Sequence, residues 1–214
     1  MGEPIKLPNG TTPESHCPTS LKLLDMVKEA RGKVTEQPEG GSQVMGWEVT
    51  KCEPCRFIGK SMYVRAGKSD EFCEFALMGP GIEWVIPKID DLKEYATDDI
   101  HAAAFIHWEK YDDKTKLMGY TIGRFMKADT PVPKHMDYID IPGGYIAKGF
   151  VHGDIDSAIN MLREEIEKQG VYKEARGRWS AEVFPNLIAD KDKKFYERIH
   201  GFYVPCDLIN PSQD

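Results

Sequence analysis

Five short stretches carry residue types that could do chemistry. In RWSAEVFPN, residues 178 to 186, a carboxylate stands inside an alternating strand pattern. Side chains two apart on a strand share a face. Trp179, Ala181 and Val183 therefore form one apolar row, and Arg178, Ser180, Glu182 and Phe184 form the other. A carboxylate beside an aromatic ring suits two settings: an outer surface where Glu182 is hydrated or ion-paired, and the wall of a pocket that favours positive charge. Cys52-Glu-Pro-Cys55 has redox spacing, but a reactive pair opens a helix whose N-terminus stabilises the thiolate, whereas this one runs into the strand-like RFIGKSMYV. His107-Trp-Glu109 has the His-x-Glu of zinc deaminases, yet Pro205-Cys206 continues as Asp-Leu-Ile without the second cysteine that chemistry needs. Gly59-Lys60-Ser61 and Gly67-Lys68-Ser69 end like phosphate loops, but Pro54 and Met62 stand where each would need its first glycine.

Further signatures are missing too. No Gly-x-Ser-x-Gly elbow supports serine-hydrolase chemistry. No second Cys-x-x-Cys completes a zinc site, so neither a metal nor another cofactor is expected. Five cysteines at irregular spacing suggest reduced thiols rather than a disulfide framework.

The elements that must position Glu182 can be read from periodicity. At 214 residues, with 41% hydrophobic and 29% charged residues, the chain has the composition of a folded globular protein. Its net charge of -7, with basic residues scattered, disfavours direct nucleic-acid binding. The N-terminus has no signal-like apolar core, and no run is long enough to span a bilayer, so a cytoplasmic protein without membrane contact is expected. Residues 1–44 read as a flexible leader with one short helix, SLKLLDMVKEARG, and residues 45–214 as the folded domain. Within that domain, 47–64 reads as strand with Pro54 at a bend. DEFCEFALM and PKIDDLKEYA look helical. HAAAFIHWEK and KLMGYTIGRFM form a hairpin through YDDKTK. SAINMLREEIEKQG is a clear amphipathic helix, and RWSAEVFP and FYERIHGFYVP are strands.

RFIGKSMYVRAG lies against GYIAKGFVHGDI with Phe57 over Tyr145, Ile58 over Ile146 and Lys60 over Lys148, each copy followed by a helix and two strands. The expected fold is α+β: a duplicated β-α-β-β module forming one antiparallel sheet, two main helices on one face and an aromatic ligand cleft on the other. Glu182 would line that cleft. Strands with rings on both faces need something on the second, whether ligand, partner protein or helix.

The order of WSAEVFP, MDYIDIPGGYIAKG and GFYVPC resembles the GyrI-like small-molecule-binding family, over roughly residues 45–208. That family also supplies the effector-binding domains of AraC- and MerR-type regulators. The resemblance implies that Glu182 points into an aromatic cleft and meets a hydrophobic or cationic aromatic ligand. Some stand-alone members open the cyclopropane of DNA-alkylating natural products by adding water. For such a cyclopropanoid hydrolase, Glu182 would activate the water, its pKa raised by apolar walls. Tyr145, ahead of Tyr120 and Tyr203, would donate to the carbonyl oxygen. Phe105, Trp108, Trp179 and Phe184 would be stacking walls. A non-catalytic drug binder or effector sensor, a tetrapyrrole carrier and a protein-binding inhibitor are the alternatives, and the chain is expected to be a monomer or homodimer.

Overall fold

The structure, a computed structural model, describes residues 41–66, 80–97, 102–185 and 197–210 together with Leu23 and Asp25. These residues form nine strands, β1 (Ser42–Cys52), β2 (Cys55–Arg65), β3 (Ala102–Asp112), β4 (Leu117–Lys127), β5 (Asp137–Ile141), β6 (Gly144–Gly153), β7 (Tyr172–Glu174), β8 (Trp179–Phe184) and β9 (Ile199–Leu208). The α-helices are α1 (Pro80–Asp90) and α2 (Ile155–Lys168). The α+β class and the antiparallel sheet agree with the periodicity. The helical pattern at 70–78 and most of the leader lie outside the described residues; Leu23 and Asp25 are both helical.

The strand order is β1-β6-β9-β8-β3-β4-β2-β5, with β7 beside β9. Two copies of a three-stranded unit, β6-β9-β8 and β3-β4-β2, meet at the β3–β8 pair. Each copy lends its preceding strand to the other, since β1 pairs with β6 and β5 with β2. The β1–β2 turn spans only Glu53 and Pro54, yet it joins an edge strand to the next-to-last strand at the far side. The sheet must therefore curl until its ends approach. A Cβ on Gly143, in the β5–β6 turn, would stand 2.8 Å from the Cys52 carbonyl oxygen, which shows how closely the two turns lie.

The concave side is filled by the protein's own rings. Phe57, Phe105, Phe125, Phe150 and Tyr203 form one buried cluster with Ala181, Val183 and the leader's Leu23. Phe57 meets Phe125 edge-on at 4.8 Å between centroids, an arrangement favoured by ring quadrupoles. Both helices lie on the convex side. Val85, Ile86 and Ile89 of α1 pack with Ile58, Tyr120, Ile122 and Phe184, and Ile159, Leu162 and Ile166 of α2 pack with Ala147, Phe202 and Val204.

Local chemistry explains the helix limits. Asp154 caps α2 by accepting from the Ser157 N–H at 3.0 Å, and Gly170 leaves it at φ 68°. Pro80 opens α1 at the position where a missing N–H costs nothing, and Pro87 sits in its C-terminal half.

Three expectations need correction. The proposed repeat is slipped by one residue: Ile58 packs under α1 on the convex side, whereas Ile146 belongs to the concave cluster with Phe57. A one-residue slip exchanges the faces of every side chain, so the facing pairs are Phe57 with Ile146 and Ile58 with Ala147. Cys52 is disulfide-bonded, while Cys55 and Cys206 take part in no disulfide. Finally, Glu182 faces the helices and not the concave side, as its neighbours show.

Candidate functional site

Register places Glu182 at the middle of the sheet. It stands opposite Ala104 on β3 and Phe202 on β9, so all three share the convex face. α1 packs against β2 and β4, and α2 against β1, β6 and β7. The central strands β3, β8 and β9 thus run between the two helices. Ala102 and Ala104 keep β3 low there, leaving height above the sheet for longer side chains from β4 and β8.

Tyr120 and Glu182 use that height. The Tyr120 hydroxyl donates to Glu182 Oε2 at 3.4 Å. Tyr120 is fully buried and Glu182 half-buried. Phe184 closes one end of the row against α1, and at the other end Trp108 Nε1 donates to Ser180 Oγ at 2.9 Å. Beyond Ser180 opens a cleft of about 440 Å³ lined by Trp108, Tyr111, Asn160, Arg163, Glu174, Arg176 and Gly177. Its volume falls in the usual range for small-molecule pockets.

Two cations at the α2 end of this row are already engaged. Arg163 lies 5.2 Å from the Phe202 ring centroid and is gripped by both oxygens of the nearly buried Glu174, at 2.9 and 3.3 Å. Arg176 approaches the same carboxylate at 3.8 Å and Glu167 at 3.2 Å. A bidentate pair of this kind fixes the guanidinium in one plane and holds its charge toward Glu174.

The structure brings together Glu182, Tyr120, Phe184 and Trp108. It does not bring Tyr145 to them: Tyr145 stands opposite Cys206, four residues further along β9 than Phe202, roughly 13 Å at strand rise, and packs against Tyr172 at 5.2 Å. Phe105, Trp179 and Tyr203 lie on the concave side with the core rings. Ser180, Arg163 and Glu174 were not singled out by sequence. Ser180 could have been, because alternation already places it beside Glu182; the Arg163–Glu174 pair joins a helix to a three-residue strand and has no local signal.

His107, on the concave side, donates to or accepts from Thr121 Oγ1 at 3.2 Å, and burial, helped by Lys110, lowers its pKa to about 4. It is a core histidine held neutral. Among the described residues no group of three or more His, Cys, Asp or Glu is placed to hold a metal ion, and no helix is long and apolar enough to cross a membrane.

The architecture is a duplicated β-α-β-β sheet with a carboxylate–tyrosine pair between its helices. Similar solved structures include SAV2435 bound to tetraphenylphosphonium, at 13% identity over 76% of this chain and 94% of that one, with a TM-score of 0.48. The EcmrR C-terminal domain is similar at 13% identity over 77% and 98%, TM-score 0.48. A hydrolase encoded by lin2189 from Listeria innocua is similar at 12% identity over 84% and 98%, TM-score 0.42. No protein-family model matches the sequence, and no curated protein matches it.

Proposed function

We propose that this protein binds hydrophobic cations between α1 and α2, with Glu182 as the counter-charge. The observation that carries this reading is the half-buried Glu182 carboxylate held by the buried Tyr120 hydroxyl among Ala104, Phe184 and Phe202. A carboxylate in such surroundings attracts a cation more strongly than one in water, because less solvent screens it. Rings beside it favour a ligand whose charge is spread over aromatic groups. Titration calorimetry of the full chain with tetraphenylphosphonium tests the idea. Glu182→Gln is expected to weaken binding at least tenfold, while neutral triphenylphosphine oxide binds both forms alike; equal affinity of the two forms for the cation would refute it.

A second reading, detoxification by cyclopropane opening, is favoured by the same pair. Glu182 would take a proton from water as its oxygen bonds to the ring carbon. The strained C–C bond would break, and its electrons would pass to the conjugated carbonyl oxygen, which takes a proton from a tyrosine hydroxyl. Tyr120 would be that tyrosine, because its hydroxyl already lies against Glu182, and the proton taken up by Glu182 would return to it to restore both groups. Incubating a cyclopropanoid alkylator with substoichiometric protein should yield more than one equivalent of hydrated product; full turnover by Glu182→Gln would exclude that base.

A further inference from the structure

The concave side of the sheet ends in a cleft of its own. It has a volume of about 480 Å³ and lies at the mouth where the β5–β6 turn, Pro142 to Gly144, approaches the start of β8 and the end of β9. Its floor is apolar: Ile146 and Pro205 stand directly opposite each other across β6 and β9, and the half-buried Trp179 forms the wall. One face of the Trp179 indole is covered by Phe105, stacked at 5.0 Å and 23°, and Phe105 is backed in turn by Phe57 at 5.2 Å. Trp179 is thus the outermost plate of a column of core rings, held at a fixed angle, and it lines the cleft.

The rim carries charge. Arg178 Nη2 contacts Asp207 Oδ1 at 3.4 Å, so that guanidinium and that carboxylate largely offset each other. Glu109, anchored by its backbone N–H to the Arg178 carbonyl at 3.4 Å, adds an exposed carboxylate on the same rim. Its side chain has no cation partner among the described residues. The cleft therefore combines a pre-positioned indole face with one uncompensated negative charge.

From this geometry we propose a second small-molecule site that takes a planar aromatic cation, stacked on Trp179 with its charge toward Glu109. The site is separate from the one proposed at Glu182. Trp179 and Glu182 are an odd number of residues apart on β8, and their side chains leave opposite faces of the sheet. A ligand on one cannot touch the other. Stacking on a fixed indole costs little ordering of the protein, and a cation adds attraction both to the ring and to the carboxylate.

The test uses the full chain carrying Glu182→Gln, so that the first site's charge is absent, and proflavine as the planar cation. One equivalent is expected to bind with quenching of tryptophan fluorescence. Adding Glu109→Gln, an exposed change that leaves packing intact, is expected to weaken proflavine about two- to fivefold at low salt. Acridine at pH 8, planar but uncharged, should bind both chains equally. Adding Trp179→Leu should abolish binding of both dyes. The proposal is overturned if proflavine does not bind the Glu182→Gln chain, or if Glu109→Gln leaves its affinity unchanged. Neither result bears on whether tetraphenylphosphonium needs Glu182 in the unmodified chain.

Discussion

Replacing Tyr120 by Phe probes the central pair with little change in packing. The ring is completely buried among Ile58, Ile106 and the α1 side chains, and Phe fills the same space. What is lost is one hydroxyl that donates to Glu182 Oε2 at 3.4 Å. Hydrogen bonds to charged groups contribute about 1.5–3 kcal/mol at good geometry, but an O–H···O contact normally lies near 2.7–2.8 Å, so this long one contributes about 0.5–1 kcal/mol. Water can reach the half-buried carboxylate and replace part of that. The melting temperature should fall by about 1–3 °C, given about 2–4 °C per kcal/mol for a chain of this size. Cation binding should move the other way. The hydroxyl competes with a ligand for the carboxylate, so its removal should tighten tetraphenylphosphonium about two- to fivefold, from the same 0.5–1 kcal/mol. Calorimetry on wild type, Tyr120→Phe and Tyr145→Phe separates the cases. Tyr145→Phe should leave affinity alone, since that ring stands on β6 opposite Cys206, four residues along β9 from the partner of Glu182. A loss of threefold or more in Tyr120→Phe would refute the competition argument and make the hydroxyl a ligand contact.

Other consequences follow from particular contacts. Glu174→Gln should release Arg163 from its bidentate hold; a guanidinium then able to turn toward Glu182 should lower cation affinity, an effect that added salt reduces. Gly59→Ala should destabilise by about 3 kcal/mol or more in urea titration, because its Cβ would stand 2.0 Å from the Ile122 carbonyl oxygen, which the ladder fixes. Gly149→Ala should cost less, about 1–2 kcal/mol, since the clash at 2.3 Å is with Leu162 Cδ2, the end of a side chain that can rotate. For His107 the folded pKa of about 4 lies below the unfolded value of 6.5, so the unfolded chain binds the extra proton. The stability is complete well above pH 6.5 and falls as pH drops through 4, by about 3 kcal/mol in all; His107→Gln should flatten the urea midpoint over that window.

How much of this was readable in advance depends on the range of the interaction. Alternation in RWSAEVFPN already separates Trp179 from Glu182, because the strand period is a property of the backbone alone. The same holds for the β3–β4 hairpin, whose charged YDDKTK turn sits between two apolar runs, and for α2, whose Asp154 cap and Gly170 stop are local. Which face the helices cover is decided elsewhere, by two crossovers whose direction no strand encodes. That is why Glu182 was expected on the side away from the helices. The repeat slipped for a related reason: matching Ile58 to Ile146 keeps letters aligned but ignores that Gly59 must face Gly123 and Gly149 must face Leu162. Glycines at those places admit a neighbouring strand or helix, so their partners lie far away in the chain. The exchange of β1 and β5 between the two copies is equally non-local, and it has a functional consequence. By tying each edge to the opposite half, it curls the sheet, packs the concave side with Phe57, Phe105 and Phe125, and leaves the convex row between the helices as the place where a carboxylate can be sheltered without being sealed into the core.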